Sequence, residues 1–236
     1  MTKVRAVIFD KDGTLFDFSV TWEAWAASFL RLISDTDNHA NELGAVIGFN
    51  MSKRQFSKDS LAIAGTPGQI ADALLPYLSG FDRNTLLNVL NTEAAAAPQA
   101  QAVPLKPFLT TLRGNGLKLG VVTNDAEKPA RAHIESAGIT DFFDLIIGSD
   151  SGFGAKPDAG QLLAFAKAVD VPVNEIVMVG DSLHDLVAAQ RAGMRGVGVL
   201  TGLADAQTLG DSAEIVLPDI GHLPDWLKIQ HQSGDG

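Results

Sequence analysis

Cysteine is missing altogether from the 236 residues. That absence excludes disulfides, thiolate catalysis and cysteine-based zinc sites. Positive charge is scarce as well: 18 Lys and Arg stand against 28 Asp and Glu, a net charge of -10. With no basic excess to neutralise a phosphate backbone, no nucleic-acid partner is expected. A small anionic ligand stays open, because it needs only a few local cations or a metal. No apolar run approaches membrane-spanning length, so no membrane association is expected. The first residues enter a strand pattern with no signal-peptide core, and the expected location is cytoplasmic. Internal repeats are absent too, and the alanines at 94–97 are the one compositionally biased patch.

What is present is enough apolar residue for a sizeable core. Hydrophobic residues make up 46% and charged residues 19%, which fits a globular chain of one large domain or a domain with an insertion. Short Val/Ile-rich runs at 4–10, 117–123, 144–150, 175–181, 196–201 and 213–219 alternate with amphipathic stretches near 104–114, 126–137, 159–169 and 183–193. Near-continuous apolar strands alternating with helices predict a parallel sheet covered on both faces, an α/β fold of Rossmann-like type. Residues 16–100 break the alternation. They contain no convincing strand and predict helices around 21–34, 52–64, from "TPGQ" onward and 82–96, with Thr66 as an N-cap before Pro67. The pattern therefore predicts an inserted all-α helical cap domain at 16–100. The core would be residues 1–15 and 101–236, with the return linker at 94–104.

Three predicted strands end in groups able to act on one ligand: Asp10, Thr123 and Asp181. In open α/β sheets, ligands bind beyond the carboxyl ends of the strands, so these ends should converge. Asp12 lies two residues beyond Asp10 and can face the same crevice. Asp185 follows Asp181 by one helical turn. Four carboxylates at one point repel, at roughly 4 kcal/mol for a like-charged pair about 4 Å apart at an effective dielectric near 20. A hard divalent cation held by oxygen ligands relieves this, and Mg2+ suits a site of few carboxylates plus a phosphate. Lys156, in "GAKPD", can add a positive charge. Taken alone, Asp181 is an ordinary strand terminator, Asp185 a first-turn acid and Lys156 a surface lysine. The Asp-x-Asp-Gly-Thr string is sharper, arising by chance in roughly one chain of this length in several hundred.

Together these motifs make the chain resemble the haloacid dehalogenase superfamily of phosphohydrolases. "DKDGTL", "VVTND", the lysine of "GAKPD" and "GDSLHD" stand where that family has its four motifs, and the resemblance runs from Val4 to about Asp219. The helical block resembles the cap of the phosphoglycolate phosphatase and β-phosphoglucomutase branch. The resemblance implies Asp10 as nucleophile and Asp12 as general acid/base. It further implies Thr123 and Asn124 as phosphoryl-binding groups and Lys156 as the neutralising cation. Asp10, Asp181, the backbone carbonyl of Asp12 and Asp185 would hold Mg2+. An intact Asp12 also makes the chain look like an O–P cleaver or phosphomutase, because the halide- and phosphonate-cleaving branches lack that aspartate.

Specificity is expected in the cap, whose basic residues are Arg31, Lys53, Arg54, Lys58 and Arg83. Lys53 and Arg54 are the substrate-binding candidates, placed where relatives carry a loop facing the active site. A cation there would suit a second anionic group such as the carboxylate of phosphoglycolate. Trp22 and Trp25 are expected in the cap core, and His184 is expected beside the site without being a ligand. The expected activity is Mg2+-dependent hydrolysis of a small phosphorylated metabolite through an aspartyl-phosphate. A sugar phosphomutase and a non-catalytic binding module are the alternatives. The pattern leaves open whether the chain is a monomer or a homodimer.

Overall fold

The computed structural model describes residues 3–57 and 59–232. Six strands, β1 (Ala6–Phe9), β4 (Lys118–Val122), β5 (Leu145–Ile147), β6 (Ile176–Gly180), β7 (Arg195–Val199) and β8 (Ile215–Leu217), form one parallel sheet in the order β5-β4-β1-β6-β7-β8. The numbering leaves room for a hairpin, β2 (Phe49–Asn50) and β3 (Gln55–Phe56), that stands outside this sheet. Strand alternation divides the core. Val7 and Phe9 point to one face and pack with α6 (Leu105–Gly114), α7 (Glu127–Ser136) and α11 (Leu223–Gln232). Ala6 and Ile8 point to the other and pack with α8 (Gly160–Val169) and α9 (Leu183–Ala192). Both sheet faces are thus covered, as the unbroken apolar strands require. A short α10 (Ala206–Gly210) precedes β8.

Between β1 and α6 lies the helical cap. It comprises α1 (Phe18–Leu32), α2 (Asp37–Val46), the β2–β3 hairpin, a one-turn α3 (Leu61–Ala64), α4 (Pro67–Leu74) and α5 (Arg83–Ala95). Its buried apolar cluster draws only on residues from Phe18 to Ala94. Trp25 stacks on Phe29 with ring centroids 5.1 Å apart, and Trp22 meets Trp25 edge-on at 5.0 Å. α4 starts as its sequence suggests: Thr66 Oγ1 accepts from Gln69 N, and Gln69 Oε1 accepts from Thr66 N in a capping box.

The expected helix over 52–64 does not form. In its place are the β2–β3 hairpin and the single turn of α3. Phe49 and Phe56 meet across the hairpin at 4.7 Å with their rings tilted by 55°, Asn50 Oδ1 accepts from Lys53 N, and Arg54 takes a left-handed φ of 52°. A side chain that hydrogen-bonds its own turn competes with helix, and two aromatics bracketing the turn favour the paired strands. Helix α2 also lies where the pattern showed none. It is capped by Thr36 and has a weakly apolar composition, with only Ala40, Leu43 and Gly44 buried.

We propose domain boundaries at 16 and 100, so that residues 1–15 and 101–236 make the core. The two crossings run side by side: Asp17 N donates to Ala100 O at 2.8 Å and Ala102 N to Leu15 O at 3.0 Å. Phe16 itself packs in the core cluster.

Gly120 shows why a central strand carries glycine. A Cβ there would lie 2.4 Å from Cε2 of the buried Phe165, which α8 presses onto the sheet. Gly120→Ala should therefore destabilise the fold by about 1–3 kcal/mol, since an overpacked core must shift. Adding Phe165→Leu should recover part of that loss. Urea titration of the three variants measures it, and a neutral Gly120→Ala would contradict the packing described.

Candidate active site

The parallel sheet places the carboxyl ends of β1, β4 and β6 side by side, and the motif residues gather there. Asp10 follows β1, Thr123 follows β4 and Asp181 follows β6. The chain turns immediately after Asp10. Gly13 takes a φ of 76° and donates its N–H to Phe16 O at 2.7 Å, while Leu15 N reaches back to Lys11 O at 2.9 Å. The positive φ suits glycine. Space demands it too, because a Cβ on Gly13 would lie 2.4 Å from Asp181 Oδ2.

Asp10, Asp181 and Asp185 each place a carboxylate oxygen within 4.8 Å of the others. Lys156 Nζ lies among them, donating to Asp10 Oδ1 at 2.8 Å, Asp185 Oδ1 at 2.6 Å and Val122 O at 3.0 Å. The lysine is itself held by its own backbone: Asn124 Oδ1 accepts from Lys156 N at 2.8 Å, and Asn124 Nδ2 donates to Lys156 O at 2.8 Å. A third bond from Asn124 Nδ2 to Ala64 O of the cap, at 2.7 Å, ties the two domains at the site. Gln161 Nε2 fixes the carbonyl of Thr123 at 3.0 Å. Asp185, fully buried, accepts from Ser182 N at 3.0 Å and Ser182 Oγ at 2.7 Å through its second oxygen.

Burial dominates the electrostatics. It raises Asp10 to about 7 against the opposing pull of Lys156. It raises Asp181 well above the ordinary carboxylate range, with Asp10 and Asp185 adding repulsion. Burial works against the Lys156 charge, but Asp10 and Asp185 outweigh it and hold the ammonium protonated. Three carboxylates around one cation leave an excess of negative charge, and all the donors are oxygen, which is the chemistry of a hard divalent cation. Asp181 adds to the fit. It is buried, Thr14 Oγ1 reaches it at a long 3.5 Å, and Cβ atoms on Gly13 or Gly202 would collide with it.

A second buried cation was not anticipated. Lys11 is wholly buried, and its Nζ lies 2.8 Å from Asp12 Oδ2, 3.2 Å from Asp125 Oδ2 and 2.9 Å from His133 Nδ1. The Trp22 ring of the cap covers it at 5.3 Å. Burial opposes the Lys11 charge, and Asp12 and Asp125 more than offset it. Burial, then the neighbouring Lys11, pushes His133 down to about 4. A neutral His133 can accept from Lys11 through Nδ1 while Nε2 donates to Ala94 O of the cap at 2.7 Å. Asp125 rises to about 6, again through burial, with Lys11 opposing. The available signals were a lysine wedged between two motif aspartates and an acid directly after Asn124.

A cleft lies between cap and core. The core lines it with Asp10, Asp12, Thr123, Asn124, Lys156 and His184, and the cap lines it with Phe18, Trp22, residues 62–65 of α3 and its C-cap, Pro67, Ile70 and Leu90. Trp22 thus belongs to the cap core and also faces the site. Lys53 and Arg54 do not line it. Both are exposed on the turn of the β2–β3 hairpin, and Lys53 borders a separate surface groove. Lys58 lies outside the described residues.

The profile of the haloacid dehalogenase-like hydrolases matches residues 4–193. The chain is 31% identical over 234 residues to the phosphoglycolate phosphatase of Chromobacterium violaceum, covering 95% of this chain and 97% of that one. It is 31% identical over 226 residues to the phosphoglycolate phosphatase of Neisseria meningitidis, covering 94% and 92%. The crystal structure of a β-phosphoglucomutase from Clostridium difficile shares the fold, with a TM-score of 0.68 at 19% identity over 98% of each chain. No helix among the described residues is long and apolar enough to cross a membrane. With the motif residues gathered at the strand ends and a family match over most of its length, the chain is a phosphoric monoester hydrolase belonging to the haloacid dehalogenase-like hydrolase family.

Proposed function

We propose that the protein hydrolyses a small phosphorylated metabolite in the cytoplasm, through an aspartyl-phosphate formed on Asp10 and with Mg2+ as cofactor. The observation that carries this reading is the convergence of Asp10, Asp181, Asp185 and Lys156 beside the cleft between cap and core. Lys156 engages one oxygen of Asp10, and the other oxygen is the nucleophile. It attacks phosphorus, the bond to the leaving oxygen breaks, and the proton of Asp12 passes to that oxygen. Water then attacks the phosphoryl group, Asp12 takes its proton, and the bond to Asp10 breaks to release phosphate. Splitting one displacement into two lowers each barrier.

Thr123 and the amide of Asn124 bind phosphoryl oxygens in this scheme, and Lys156 offsets the charge they carry. Asp10, Asp181 and the backbone carbonyl of Asp12 would hold the metal, with Asp185 beside them. When bound, Mg2+ supplies charge neutralisation and in-line orientation of the phosphoryl group. Phosphoglycolate, for which the relatives are named, is the first compound to compare.

Asp10→Asn should fold normally and lose turnover on the order of a thousandfold or more, as removal of a covalent nucleophile does. Phosphate release together with thermal unfolding measures both, and near-normal turnover would remove Asp10 from this role. Exhaustive EDTA treatment should abolish phosphate release, and Mg2+ should restore it. Ca2+ should restore little, because its larger and looser coordination disturbs the in-line geometry. Full activity in EDTA would contradict the metal assignment.

A further inference from the structure

The two halves of the cleft differ in chemistry. The core supplies every charged group, and among the described residues no cap side chain lining the cleft carries a charge. The cap wall consists of Phe18, Trp22, Ile63, Pro67, Ile70 and Leu90 with the small residues between them. It is preformed: the edge of Trp25 packs on Trp22 at 5.0 Å, and Phe18, Ile70 and Leu90 are buried in the cap cluster.

Among the described residues, the cations of the site and the cap are engaged elsewhere or exposed. Lys156 is engaged by Asp10 and Asp185. Lys11 sits wholly buried among Asp12, Asp125 and His133. Arg83 is paired with Asp72 at 2.6 Å, Arg31 is exposed, and Lys53 and Arg54 stand on the hairpin turn. The acids Asp12 and Asp125 also line the cleft. A second anionic group on the substrate would lose its water against an apolar wall, face two carboxylates and find no cap counter-charge among the described residues.

We infer that the cap wall selects phosphate monoesters whose organic part is uncharged and apolar, with Trp22 and Ile63 as specificity-determining residues. This inference rests on the catalytic reading given above. It makes phosphoglycolate a poor substrate for this protein despite the name its relatives carry.

The test compares benzyl phosphate with phosphoglycolate. Both release a primary alkoxide, so the demand for leaving-group protonation is similar and the wall decides the difference. Acetyl phosphate, whose leaving group needs no such help, reports on the catalytic groups alone. In the intact protein, kcat/KM for benzyl phosphate should exceed that for phosphoglycolate by about tenfold or more. Trp22→Ala should lower kcat/KM for benzyl phosphate by on the order of tenfold. Ile63 is only half-buried, so Ile63→Lys should fold, and it should shrink or invert the ratio by placing a cation on the wall. Turnover of acetyl phosphate should persist in Ile63→Lys. Equal turnover of the two esters, a preference for phosphoglycolate, or no turnover of benzyl phosphate by protein that hydrolyses acetyl phosphate would overturn the inference. Failure on all three compounds would overturn the catalytic reading itself, and the inference with it.

Discussion

Everything at this site follows from holding three carboxylates together where water is scarce. Asp10 and Asp181 leave neighbouring strands and Asp185 stands one turn into α9, so the sheet brings together charges that repel. One like-charged pair about 4 Å apart costs roughly 4 kcal/mol at an effective dielectric near 20. Lys156 relieves part of that, and the surrounding chain is built to deliver it. Asn124 clamps its backbone on both sides, and Val122 O takes a third Nζ hydrogen bond. The remaining excess is what a divalent cation and a phosphoryl group complete. Glycines at 13, 180 and 202 let backbone approach these carboxylates, since a Cβ at any of them would come within 2.5 Å of Asp181 or Asp185.

Beside this centre, Lys11 plays a structural counterpart to Lys156. It neutralises Asp12 and Asp125 in a fully buried position, and its surroundings reach into the cap through Trp22 and through His133 to Ala94 O. Asn124 makes a similar tie to Ala64 O. The groups flanking the reaction centre therefore hydrogen-bond directly to cap backbone, so cap position and site geometry are physically linked. Removing one partner of such a buried pair leaves an uncompensated charge, which is far more disruptive than losing a surface ion pair.

Much of this was legible in the sequence. The six strands announced themselves as unbroken Val/Ile runs, because burial on both faces leaves no polar alternation to confuse the pattern. Asp10, Thr123 and Asp181 could be placed together because strand ends in a parallel sheet converge, and Asp12 and Asp185 followed from their spacing. The family resemblance placed Lys156 and Asn124 beside them. Local competition hid the rest. The 52–64 segment reads as helix by composition, yet Asn50 hydrogen-bonds its own turn and Phe49 pairs with Phe56, so the hairpin forms. Lys53 and Arg54, expected from the resemblance on a loop facing the site, are exposed on the hairpin turn and do not line the cleft. The Lys11 network was missed for another reason. Its partners Asp125 and His133 are 114 and 122 positions away, and the acids beside Lys11 and Asn124 hint at charge without pairing such distant positions.

The central claim is that phosphorus passes through Asp10. The most direct measurement is rapid quenching of a single turnover with a phosphate ester labelled at phosphorus, followed by borohydride reduction of acid-stable protein and peptide mapping. The account predicts a transient acyl-phosphate on the peptide bearing Asp10, forming and decaying no more slowly than phosphate release. Turnover with no protein-bound phosphate, or label on any other residue, would contradict it.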